Sequence, residues 1–169
     1  KVYFAWREYT PNPKRGVRIT VSTSWFVHKP HTAFQWEAQI PVEEYQRRVG
    51  LLRDALKRDK SITYNWHDPQ TSYLEAIFSR GDRRLADVLE WAWQHGAKFD
   101  SWSEYFDYQR WMDALEACGL DGDFYAHRER PRSEVFPWCR IDPMVTPAFL
   151  WHERELSYQF QTTPDCRTR

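Results

Sequence analysis

The sequence predicts an α/β chain in which helix outweighs strand, and three observations carry that prediction. Residues Val17 to Phe26 alternate, with Val17, Ile19, Val21 and Trp25 on one side and Arg18, Thr20, Ser22 and Ser24 on the other, which is the period of a strand. Most of the chain beyond Pro41 instead repeats its apolar residues at three- and four-residue steps. The chain has 169 residues, enough to bury a core of its own as one domain with an appendage.

After the first strand, Pro30 lacks an amide donor and pushes Lys29 out of helical geometry, so an extended loop is expected to run to about Ile40. Pro41 suits a first helical turn, and Tyr45, Val49, Leu52 and Leu56 mark the buried face of the helix it opens. Ser61 to Trp66 is short, partly β-branched and aromatic, and ends at the turn-forming Asp68-Pro69, which predicts a second strand. Ser72 to Ser79 and Asp82 to His95 read as two helices broken at Arg80-Gly81. Asp82 caps the second, Gly96 ends it, and Leu85, Val88, Leu89, Ala92 and Trp93 form its inner stripe. Ser101 and Glu104 have capping-box spacing, so a further helix is expected from about Ser101 to Gly119, turning Tyr108, Trp111, Met112 and Leu115 inward. Thr146-Pro147, an N-cap followed by a first-turn proline, opens the last helix, with Phe149, Leu150, Leu156 and Tyr158 along it.

Aromatic residues make up 17 % of the chain, with 10 tryptophans, so the interior is expected to be built of large flat side chains that leave pockets. Lysine plus arginine equals aspartate plus glutamate at 24 each, so no overall field draws the chain to nucleic acid or to an anionic membrane. No run of about 18 apolar residues exists to span a bilayer, and no signal-peptide pattern follows the first basic residue, which predicts a cytoplasmic protein. Cys118, Cys139 and Cys166 are odd in number and far apart, fitting neither a disulfide framework nor a metal knuckle. The chain opens at Lys1 and closes on Cys166-Arg167-Thr168-Arg169, and both ends are expected to continue into a longer protein.

The densest chemistry lies in Ser22 to Trp36, a polar-faced strand feeding a loop with two histidines, a lysine and several aromatics. In an α/β barrel such loops at strand C-termini line the active site; on an edge strand the same polar residues simply face water. His28 and His31 lack the further donors a metal site needs. His67-Asp68 sets an acid beside an imidazole, a pairing that serves turn capping as readily as proton transfer. The arginines of Arg80-Gly81-Asp82-Arg83-Arg84 have the geometry to grip a phosphate or carboxylate, or to decorate an interhelical turn. Neither a Gly-rich phosphate loop, nor a nucleophile elbow, nor metalloprotease histidine spacing is present. A different class of function, a non-catalytic RNA- or protein-binding helical module, would stack bases on exposed rings.

The segment Phe26-Val27-His28-Lys29-Pro30-His31-Thr32-Ala33-Phe34-Gln35-Trp36 closely resembles a signature of the cobalamin-binding-type radical S-adenosylmethionine (SAM) family of unknown substrate. The likeness continues through Trp66-His67-Asp68, Glu75 to Leu85, Phe99 to Glu104 and Trp111-Met112 to Thr163-Pro164-Asp165-Cys166. Several blocks in order are far more specific than one. The resemblance implies the C-terminal piece of a radical SAM partial TIM barrel. Residues 1–40 would hold the last barrel strand and its mouth loop, with one or two strands present in all, and 41–169 a mainly helical extension. It implies a parent enzyme that uses a 4Fe–4S cluster to cleave SAM to a 5′-deoxyadenosyl radical. The three cluster cysteines, any cobalamin-binding region and the N-terminal barrel half would all lie upstream of Lys1, so this piece alone is expected to bind no cofactor and to be inactive. Whether the parent uses cobalamin is left open, and so is its substrate, with RNA and protein both considered. Cys166 would be the first ligand of a further metal site. The residues expected to face cofactor or substrate are Ser22 and Ser24 as hydrogen-bonders in the lumen, Lys29 and His31 at the mouth, Gln35, and Trp36 as an apolar wall, with Arg80 and Arg83 behind them. One thiol cannot hold that further site, so no metal site is expected among the residues present.

Overall fold

A computed structural model describes residues 1–12 and 16–164; Cys166 lies outside the described residues. Among these residues the chain is a mainly α-helical α/β protein with seven helices and one two-stranded parallel sheet. It divides into two compact units interleaved along the sequence, one built from residues 1–25 and 41–69, the other from 26–40 and 70 onward.

The first unit is organised by β1 (Ile19–Thr23) and β2 (Ile62–Trp66), paired in parallel with Ile19 opposite Ile62 and Thr23 opposite Trp66. Parallel strands cannot be joined by a tight hairpin, and the helix α2 (Val42–Leu56) lies on the crossover and packs on β2. The sequence placed both strands and this helix, with the first strand shorter than expected. Tyr45 and Val49 of α2 are buried as the periodicity requires, whereas Leu52 stays 41 % exposed. The Tyr45 ring stacks on Trp25 with centroids 4.8 Å apart, and its hydroxyl donates to the His67 carbonyl at 2.8 Å. A short helix, α1 (Val2–Tyr9), was not expected from sequence and buries none of its residues.

The second unit is centred on α3 (Pro69–Arg80), whose first residue still belongs to the other unit and which buries Tyr73, Leu74, Ala76 and Ile77. α4 (Leu85–Gln94) and α5 (Tyr108–Ala117) pack on each other. α6 (Gly122–Ala126) sits against α3 because Gly122 has no side chain: a Cβ there would lie 2.8 Å from Ile77 Cδ1 and 2.5 Å from the Tyr73 hydroxyl. α7 (Pro147–Tyr158) begins as predicted, the Thr146 hydroxyl accepting from the Phe149 amide at 3.2 Å.

Three local expectations are corrected. The helix expected from Ser101 begins at Tyr108, because the Asp107 carboxylate accepts from the Arg110 amide and residues 99–106 form successive turns instead. Asp82 holds the turn before α4 by accepting from the Arg84 amide at 3.0 Å, and the helix itself starts only at Leu85. Leu89 and Trp93 of α4 are exposed, so its buried stripe narrows to Leu85, Val88 and Ala92. The short α6, capped by Asp121, was not anticipated.

Candidate functional site

The loop expected to form a mouth is a run of tight turns. His31 takes φ 57°, a left-handed conformation, and the Thr32 hydroxyl donates back to the Lys29 carbonyl at 2.8 Å. This folding brings the Gln35 amide under the loop, where its Oε1 accepts from the His31 backbone N–H at 3.1 Å and from the Trp138 indole at 2.9 Å. Two donors fix which end of the amide is oxygen, and Gln35 is buried. Trp36 is 2 % exposed and packs with Phe136, Trp138 and Leu150, while its carbonyl accepts from the Arg130 amide at 2.8 Å.

Lys29 reaches α3, where its ammonium contacts Glu75 and donates to the Ser79 hydroxyl at 3.0 Å. His28 is buried and its Nε2–H donates to the Ala38 carbonyl at 3.2 Å. Burial holds this imidazole below its ordinary value, and the Arg80 charge adds to that against the opposing Ala38 hydrogen bond, so His28 is neutral near pH 7.

Arg80 is 1 % exposed and donates to the main-chain carbonyls of Ala126 and Arg128, each at 3.0 Å, while its own carbonyl accepts from the Arg130 guanidinium. Burial, then the charges of Arg130 and Arg128, push it down to about 10, which still leaves it protonated at neutral pH. Arg130 is also buried, 3.4 Å from Glu134, and Glu134 takes a two-pronged pair from Arg128 at 2.7 Å. Two guanidinium groups therefore share the Glu134 carboxylate.

Two adjoining cavities open beside these residues. The smaller, about 250 Å³, is walled by His31 and Gln35 on one side and by Trp138, Ile141 and Leu150 on the other. The larger, about 530 Å³ and more open, is lined by Asp82, Arg83, Arg84, Val135 and Pro137. Phe136, Cys139 and Arg140 line both, so the two adjoin as lobes beside a shared wall.

Of the residues expected to face a ligand, His31, Gln35 and Arg83 line this cavity and Trp36 packs beneath it. Lys29 is tied to α3, and Arg80 is committed to main-chain carbonyls. Ser22 and Ser24 belong to the first unit and are solvent-exposed. The 134–141 segment, which supplies the opposite wall, was not singled out from sequence. It has no helical or alternating period, and its only signal is a local concentration of aromatic residues.

The described residues offer no donor set that fits an iron–sulfur cluster. Among the described residues no three His, Cys, Asp or Glu side chains are grouped to hold a metal ion, and Cys118 and Cys139 are both free. Among them also no helix is long and apolar enough to cross a membrane. No family model, no curated protein and no solved structure matches the chain.

Proposed function

We propose that this chain is the C-terminal part of a radical SAM enzyme, contributing a terminal parallel strand pair of the barrel and a helical extension. The observation that carries the reading is the coincidence of two features. The block from Phe26 to Trp36 with the family's sequence character directly follows β1, and β1 is one strand of a parallel pair with a helical crossover. Parallel strands are normally covered on both faces and flanked by further strands, and a lone pair is marginal by itself. Further barrel strands in the parent would supply that cover, and the polar residues Thr20 and Ser22, exposed on β1, would then face a lumen. In this reading the cluster and SAM are held by residues of the parent outside this chain, and no step of the chemistry is assigned to the residues described.

The test is to extend the source reading frame upstream of Lys1, express the complete protein anaerobically, and measure iron content and SAM cleavage. A reducible cluster with 5′-deoxyadenosine formation supports the proposal, and Ser22→Ala with Ser24→Ala, both exposed and safe for folding, should then lower product yield. An extension without a three-cysteine motif and without iron would overturn it.

One observation favours the binding-module reading: Trp93, Phe99, Trp102 and Tyr105 expose their rings on the second unit. Salt-sensitive quenching of tryptophan fluorescence by single-stranded RNA would move the conclusion there.

A further inference from the structure

The two-lobed cavity has three properties that no feature of the proposed barrel explains. The first is charge. Its larger lobe presents Arg83, Arg84 and Arg140 against one acid, Asp82, and that carboxylate is taken by Arg84 at 2.7 Å. Arg83 and Arg140 are exposed and have no carboxylate partner among the described residues, in a chain whose 24 basic side chains are matched by 24 acids overall. The charge behind the wall has the same sign, since the buried Arg130 guanidinium lies 5.7 Å from the centre of the Phe136 ring that lines both lobes. An oxyanion is the natural counter-charge for such a set, because guanidinium groups present paired donors to it.

The second property is the smaller lobe, whose apolar walls are Phe136, Trp138, Ile141 and Leu150. An inorganic anion would leave these surfaces wet, so the ligand has an uncharged planar or apolar body as well as its charge.

The third property is an idle nitrogen on that lobe. Gln35 is 3 % exposed and its Oε1 is occupied by two donors. His31 Nε2 is buried without a partner. A purely apolar body would seal that nitrogen away from water at a cost, whereas the edge of a heterocyclic base offers it a partner.

We propose that this cavity binds a nucleoside monophosphate, its base in the lobe of Gln35, His31 and Trp138 and its phosphate between Arg83 and Arg140. The proposal is independent of the radical SAM reading. SAM itself is a poor match, since its sulfonium and ammonium groups would meet the arginines with like charge.

The test is calorimetric titration of the intact protein with AMP, GMP, CMP and UMP, with the matching nucleosides, with inorganic phosphate and with SAM. At least one monophosphate should bind with a Kd of roughly 0.1 mM or tighter. Its nucleoside, and phosphate alone, should each bind at least about tenfold more weakly. Arg83→Ala, at a residue that lines only the larger lobe, should weaken the monophosphate at least about tenfold and leave the nucleoside unchanged. Ile141→Trp, which fills the apolar lobe from a site 64 % exposed, should weaken both. Circular dichroism of each variant checks that it is folded. Absence of binding by all four monophosphates at about 1 mM would overturn the proposal, as would binding indifferent to both variants or tighter binding of SAM.

Discussion

The two units of this chain solve the same problem by different means. In the first, backbone polar groups are paired by regular structure, the β1–β2 ladder and the turns of α2, and few side chains are needed to complete it. In the second, much of residues 26–40 and 127–146 runs outside helix and strand, and buried side chains take over the pairing. Arg80 holds two carbonyls, Gln35 bridges His31 to Trp138, and His127 donates to the Gln39 carbonyl at 2.9 Å. A buried main-chain group must find a partner somewhere, so irregular backbone recruits polar residues into the interior. The lesson is that a buried Arg or Gln beside a cavity is not thereby a ligand contact, because its hydrogen bonds can already be spent on the fold. Arg80 gives its NH1 and NH2 groups to main-chain carbonyls, and the Gln35 Oε1 accepts from His31 and Trp138.

That contrast breaks first at Arg80. Arg80→Met removes both bonds and leaves the Ala126 and Arg128 carbonyls unpaired, and is expected to destabilise the protein by about 3–4 kcal/mol. Tyr45→Phe, which removes one side-chain bond from the regular unit, should cost only about 1 kcal/mol. Urea unfolding of the two variants measures both, and equal losses would end the distinction between the units. Gln35→Leu is the next largest. It keeps the volume but strands the His31 amide and the Trp138 indole, for about 2–3 kcal/mol, with near-ultraviolet circular dichroism reporting the loosened Trp138.

The same division decides what was legible in the sequence. Both strands, α2 and the capped start of α7 come from local rules: alternation over 17–26, Pro41 before a helical repeat, and Thr146-Pro147. The Ser101 capping box failed because Asp107, six residues on, offers a competing cap, and the aromatic turns between them satisfy themselves. Nothing local tells that Gln35 meets Trp138, 103 residues away, or that Arg80 meets Ala126 and Arg128. Spacing encodes the face of an element, not the identity of a distant partner, so the mouth loop was visible as chemistry while its opposite wall was not.

A smaller effect sharpens the comparison through pH. Burial is the largest reason that His28 sits below its ordinary 6.5. As pH falls below 6.5 the unfolded chain takes up a proton that the folded His28 refuses, so unfolding is favoured. The contribution is therefore complete above that value and is lost progressively from 6.5 down to the lower folded value. Urea midpoints at several points in this window should decline with acid in the parent and decline less in His28→Gln. An identical decline in both would show that some other group sets the acid response of the second unit.

The smallest effect is expected where the ion pairs look most crowded. On α2, Glu44 accepts from Arg47 at 2.7 and 2.9 Å and from Arg48 at 2.7 Å, and these two guanidinium groups hold its carboxyl down to about 2. By sign, this stabilisation is present above the unfolded value of 4.5 and disappears as pH falls toward 2. All three side chains stand in water, however, and an exposed pair loses most of its attraction to solvent and salt. Glu134 has the same chemistry in the second unit, where Arg128 is its main partner and the nearby Arg130 is buried. Glu44→Gln should thus barely move the urea midpoint at neutral pH and not at all in about 1 M salt, where the screening length is about 3 Å. Glu134→Gln should move it clearly in both, because it leaves the buried Arg130 charge without its nearest counter-charge. Equal shifts from the two variants would mean that burial does not separate these clusters, and the contrast between a backbone-built unit and a side-chain-built unit would lose its energetic basis.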